Sequence, residues 1–341
     1  MSSRENYIQF LQQQNLQEDD VLPIWPTGFD QDQNDLTIGL LILLNRNLIE
    51  ANTAKNVLGL LQKNTNDLLQ VMNDYLRREL SFAGIKNIPP AFVGVFPWNS
   101  FNGRAKMTSS GPLILLTTGF IEMLEATSNL LLAERDLQER VQLLSKLIID
   151  FCDSGVISTT KSLDHPSFRG EAQAIAVSLV SESEFFVLCH EYGHLANGHF
   201  ESATSTSVKS RKGVMDVLTS TRRKEYEADF WAIKAIVKLA RQTKKPIGQV
   251  RCGILFFFCL ANLIEMYLRI SGNLSETDGH PTAVERISHA EKMLIVYGAN
   301  DSEMWNFITS AHLSLFNLVH HNLFGKTLPW DEMALLPPGS N

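Results

Sequence analysis

Residues 171–199 read EAQAIAVSLVSESEFFVLCHEYGHLANGH, an apolar run with helical texture. Near its end, His190-Glu191-Tyr192-Gly193-His194 forms an H-E-x-x-H pattern. Side chains at i and i+4 share one helical face about a turn apart, so both imidazoles can point at one metal ion about 2.0–2.1 Å from each ring nitrogen. Glu191 sits beside them on the helix, where it can reach the metal's open position through a water and act as general base.

A catalytic zinc takes three protein ligands and leaves a fourth position open, so a third donor must come from elsewhere. Continuation of the motif to a Gly at 197 and a His at 200 would supply one, but the chain has Asn197 and Phe200 there. The other solution is a glutamate on a following helix, with an aspartate four residues later to hold a histidine's outer nitrogen. Glu225-Tyr226-Glu227-Ala228-Asp229 offers that pattern. Glu225 and Asp229 share a face while Glu227 points away, so Glu225 is favoured over Glu227 as the ligand. Asp229 is then the residue that orients His190 or His194. Glu227 and the basic residues Arg222, Arg223 and Lys224 read as a solvated face.

Outward from these two segments, helical periodicity predicts helices near 120–150, 171–199, 222–241, 248–271, 282–297 and 302–323, with a further helical segment over 36–82. Between Gly84 and Thr118, prolines and glycines punctuate short apolar runs, Ala91 to Phe96 and Leu113 to Leu116, which predicts a small sheet with turns at Asn102-Gly103 and Ser109 to Gly111. Ser154 to Gly170 and Glu201 to Thr221 are rich in Ser and Thr and read as loops. The expected fold is mainly α with a small β-sheet, of the α+β class. Its expected organisation is an N-terminal helical segment at 1–82, a metal-site domain at 83–300, and a C-terminal helix with an extended tail at 301–341.

The whole chain of 341 residues is 44% hydrophobic and 20% charged, with a net charge of −7, which suits a globular protein and argues against a nucleic-acid binder. Cys152, Cys189, Cys252 and Cys259 form no C-x-x-C pair and read as reduced, buried thiols. The polar, glutamine-rich N-terminus lacks a secretory signal, so a cytoplasmic location is expected. Cys252 to Ile264 is strongly apolar but is bounded by Arg251 and Glu265, too short for the about 20 residues of a membrane span. It is read as a core helix, with no integral membrane segment.

Together these residues resemble the gluzincin zinc metallopeptidases, specifically the HtpX-like and CAAX prenyl protease-like family and its soluble members. Trp98-Asn99-Ser100-Phe101 resembles that family's Asn-Ala-Phe strand, and Leu113 to Phe120 its next strand and glycine turn. His190 to His199 is similar to its zinc helix and Glu225 to Asp229 to its glutamate helix. Gly279-His280-Pro281-Thr282 with Glu285-Arg286-Ile287 resembles its late His-Pro and Glu-Arg-Ile signature. The resemblance spans about 90–290; its departures are a helix–loop insertion at about 121–180 and a short gap from His194 to Glu225. A second, weaker resemblance is to the soluble phage-exclusion peptidases of the Lit type.

These resemblances imply a zincin-like metallopeptidase core with added N- and C-terminal helices, and one zinc per chain held by His190, His194 and Glu225. They imply Glu191 as general base, Asp229 behind the ligands, His280 near the active site as oxyanion stabiliser or resting-state ligand, and Arg286 as an ion-pair partner. Asn99, Ser100 and Phe101 would form the strand that pairs with an extended substrate. The expected activity is that of a zinc-dependent endopeptidase (a hydrolase) acting on a protein or peptide substrate. Regulation is expected from a covering segment, either 201–221 or the N-terminal helical segment, displaced by a substrate or a regulatory partner. The alternatives are a catalytically silent binding or regulatory module on the same fold, and a peripheral membrane protease using 252–264.

Overall fold

A computed structural model describes residues 3–16, 73–155, 171–199, 205–218, 221–272, 281–299 and 302–326, apart from single positions and pairs within them. The N-terminal helix α1 spans Ser3–Gln13. Three strands follow: β1 at Phe92–Phe96, β2 at Gly103–Thr108 and β3 at Gly111–Thr117. Helices α2 (Thr118–Leu132), α3 (Leu137–Ser154) and α4 (Glu171–Ala196) come next. A hairpin of β4 (Ser205–Ser210) and β5 (Gly213–Leu218) separates α4 from α5 (Arg222–Gln242). Helices α6 (Ile247–Ile270), α7 (Ala283–Val296) and α8 (Glu303–Phe324) complete the described chain. The fold is α+β, mostly helical with a small mixed sheet.

The sheet has the order β1-β3-β2. β1 runs parallel to β3, with Val95 opposite Leu116, and β2 runs antiparallel to it, with Ala105 opposite Ile114. Among the described strands, β2 is therefore at an edge of this sheet, next to β3. β1 is buried at every position because α1 covers it. Tyr7 of α1 is fully buried, stacks on Phe92 at 4.9 Å and donates its hydroxyl to the Val95 carbonyl. The N-terminal helix is thus part of the core.

α4 carries apolar residues all round and is buried nearly throughout from Phe185 to His194, as a helix enclosed by neighbours must be. It packs against α2, α5, α6 and β2. α6 is, among the described residues, the one helix long and apolar enough to cross a membrane, yet 94% of its apolar window is buried inside the protein. It is a core helix, and Arg251 near its start is neutralised by Glu291 of α7. All four cysteines are free.

Two predicted elements differ in the structure. The helix read at 120–150 is two, because Asp136 caps a new start: its carboxylate accepts from the Glu139 N–H, and the chain at Ala133 is extended. The loop read at 201–221 contains the β4–β5 hairpin, with Val208 opposite Met215. Residues 17–72 and 156–170, and with them most of the N-terminal helical segment and of the first loop, lie outside the described residues.

Candidate metal centre

α4 presents His190 and His194 one turn apart, both buried. α5 begins with the Thr221 hydroxyl accepting from the Lys224 N–H, which places Glu225 in the first helical turn facing α4. The two helices come close because Gly193 meets Ala228, and this brings ligand atoms of His190, His194 and Glu225 within 4.8 Å of one another. The Nε2 atoms of His190 and His194 are 3.1 Å apart. One Glu225 oxygen lies 3.4 Å from His190 Nε2 and the other 3.5 Å from His194 Nε2. Tetrahedral zinc with bonds of about 2.0–2.1 Å separates its ligand atoms by roughly 3.4 Å, so the three donors fit such an ion.

The other nitrogen of His190 faces Asp229 Oδ1 at 2.8 Å, so of the two histidines open to Asp229 it is His190 that is held. Asp229 is in turn gripped by Arg286 of α7 at 2.7 and 2.8 Å. Arg286 is positioned by a capping box, in which the Thr282 hydroxyl accepts from the Glu285 N–H and the Glu285 carboxylate accepts from the Thr282 N–H. Its guanidinium also lies 4.9 Å from the centre of the Phe258 ring and 3.8 Å from Glu225. Burial disfavours charge on His190, but the hydrogen bonds to Asp229 and Glu225 outweigh it and push its pKa up to about 9. Burial and the neighbouring His190 push His194 down to about 3. The Arg286 cation beside Asp229 overcomes that residue's burial and holds its carboxyl below the usual range.

Glu191 is buried, and burial raises its pKa against the opposing pull of His190. Its Oε2 accepts a hydrogen bond from the Ala105 N–H of β2. Glu191 therefore touches the backbone of β2. Burial lowers the neighbouring Arg104 to about 10, partly opposed by the charge of Glu191.

Of the substrate strand read at 99–101, Asn99 lies outside the described residues, as does His280. Ser100 and Phe101 form a bend, not a strand. The bend is tied down by the Thr117 hydroxyl, which donates to the Ser100 carbonyl and to the Asn102 carbonyl, while Phe101 stacks on Phe257 at 5.5 Å. The edge strand starts at Gly103. Sequence reasoning also passed over Ala105, the Gly193–Ala228 contact, and the contact of His199 with Glu227. For His199 the signal was Asn197-Gly198, a helix stop that turns the chain back.

A family model described as Peptidase U49 matches residues 126–308, from within α2 to within α8 and across both site helices. The match supports the peptidase reading, and it agrees with the Lit-type resemblance and not with the HtpX-like and prenyl-protease particulars. No curated protein and no solved structure gives a match.

Proposed function

The chain belongs to the peptidase U49 family, and on that footing we propose that it is a zinc-dependent endopeptidase using His190, His194 and Glu225 as ligands and Glu191 as general base. The observation that carries this is the set of spacings of 3.1, 3.4 and 3.5 Å among the three buried donors, with Glu191 next to them on α4. Zinc held there supplies a Lewis acid for the scissile carbonyl and lowers the pKa of a bound water to about 7. Glu191 takes the proton from the attacking water and returns it to the leaving amine, a task suited to a carboxylate whose burial raises its pKa. Asp229, backed by Arg286, keeps the His190 ring oriented with its proton on Nδ1.

The substrate is a protein segment in extended form. It pairs along the edge of β2 away from β3, whose main-chain groups align a backbone without dictating its sequence. That pairing brings the peptide past Ala105, where Glu191 is already engaged. We assign the protein to the cytoplasm and its restraint to a cover, for which the β4–β5 hairpin between the two site helices is the candidate segment. His280 keeps its proposed place near the reacting carbonyl.

Cleavage of a denatured-protein mixture by the purified chain tests this reading. Cleavage should stop with a zinc chelator, return with added zinc, and be absent in Glu191→Gln that still holds zinc. Cleavage that survives in Glu191→Gln overturns the assignment of the base. A zinc-loaded wild type with no cleavage under any condition moves the chain to the silent binding-module reading.

A further inference from the structure

α4 ends in a backbone arrangement that returns the chain onto one of its own site residues. Gly198 has φ +66°, its N–H bonds the Leu195 carbonyl, and the His199 N–H bonds the His194 carbonyl at 3.1 Å. This is the Schellman ending, in which the residue after the left-handed glycine comes back over the last turn. The result is that the buried His199 ring stands beside His194, with 2.8 Å between their Nδ1 atoms. On its far side, His199 Nε2 lies 3.1 Å from Glu227 Oε2, and Glu227 Oε1 accepts from Arg223 Nε at 2.7 Å. The His199 carbonyl is held by Lys224 Nζ at 2.9 Å.

We propose that His199 is a positioning residue for the metal site, relaying a hydrogen bond from the Glu227 carboxylate to the ligand His194. The proposal rests on the metal reading given above. When His194 turns the lone pair of Nε2 toward a metal, its proton sits on Nδ1, and that N–H needs an acceptor. His199 Nδ1 is the atom in reach, so the His199 proton is on Nε2, where it is donated to Glu227. Every donor then has an acceptor. His190 ends directly on Asp229, and His194 ends on Glu227 through one imidazole. The two carboxylates that back the ligands thus both come from α5, two residues apart, and Glu227 is the partly exposed one.

Equilibrium zinc affinity of the full-length protein, measured by chelator competition, tests the relay without reference to catalysis. His199→Phe keeps a ring and removes the acceptor; zinc binding should weaken by about 10–100-fold, the range seen when such outer partners are lost. His199→Asn puts an oxygen near the Nδ1 position and should recover most of that loss. Glu227→Ala should weaken binding by a smaller factor, and that factor should vanish in the His199→Phe background, since groups in one chain of hydrogen bonds are not additive. With cobalt(II) in place of zinc, His199→Phe should shift the visible absorption bands. Unchanged affinity and unchanged bands in a folded His199→Phe protein, or independent effects of the two substitutions, overturn the relay. If His199→Phe does not fold, Glu227→Ala decides alone: weaker zinc supports the relay and unchanged zinc overturns it. A wild-type protein that takes up no zinc contradicts the metal reading itself, a different failure.

Discussion

Gly193 lies against Ala228 so closely that a Cβ built on Gly193 would stand 2.9 Å from the Ala228 Cα and 2.9 Å from its carbonyl oxygen. The two helix backbones touch at this point. His190 and His194 lie on α4 around it, and Glu225 and Asp229 flank it on α5, so the distance between two backbones sets the distance between the donors. The middle of H-E-x-x-H and the middle of E-x-x-A-D meet because both hold small residues.

Gly193→Ala is therefore expected to push α5 away from α4. Overpacking of this kind costs about 1–3 kcal/mol, and the Glu225 oxygens would move out of range of the two imidazoles. Thermal unfolding and zinc affinity, measured together, should both fall. A variant with wild-type melting temperature and wild-type zinc binding would show that the helices tolerate a wider spacing.

Removal of the Asp229 carboxylate has a different signature. Arg286 is half-buried, and the fully buried Asp229 is its closest partner, at 2.7 Å. Asp229→Ala takes away both carboxylate oxygens that Arg286 bonds, leaving it only Glu225 at 3.8 Å, and should cost about 1–3 kcal/mol by urea unfolding. Asp229→Asn keeps the shape and should cost less stability while still weakening zinc binding. If Asp229→Ala unfolds like wild type, Arg286 does not depend on Asp229 in the way its contacts imply.

Much of this was legible in the sequence, and the residues that were missed have a common cause. The apolar runs gave the later helices to within a few residues, since burial on one stripe is periodic in the chain. The candidate triad of His190, His194 and Glu225 was legible because H-E-x-x-H and E-x-x-A-D are local patterns on single helices. Glu227 was read as part of a solvated face because its contact with His199 joins elements 28 residues apart. Residues 99–101 were read as strand from resemblance, but the Thr117 hydroxyl draws Ser100 and Asn102 into a bend and delays β2 to Gly103. The split at Asp136 had a legible cap that the apolar periodicity on either side concealed.

The N-terminal helix carries a stability prediction. Tyr7 is fully buried, stacks on Phe92 and bonds the Val95 carbonyl. Tyr7→Ala should cost about 3–5 kcal/mol, as aromatic truncation in a core does. Deleting residues 1–13 should likewise destabilise the protein and not activate it. Higher peptidase activity in a stable truncated protein would show instead that α1 acts as a cover.

Stability should also respond to pH through α2 and α4. Glu125 and Glu184 keep part of their surface in solvent, yet protein atoms crowd both carboxyls; burial pushes Glu125 up to about 8, helped by Glu184 and Glu122, and burial pushes Glu184 up to about 7. Between the unfolded value near 4.5 and these folded values the native state holds more protons than the unfolded chain, so stability falls as pH rises. Glu125→Gln should lose less melting temperature than wild type between about pH 5 and pH 8. Parallel curves for the two proteins would mean that Glu125 is ionised in the fold at neutral pH.

Zinc content per chain, by elemental mass spectrometry on protein purified without chelators, bears most directly on the assignment of the site. One zinc per chain is expected in wild type and in Glu191→Gln, and close to none in a folded Glu225→Ala. A wild type without zinc, or a Glu225→Ala protein that keeps its full zinc, would contradict it.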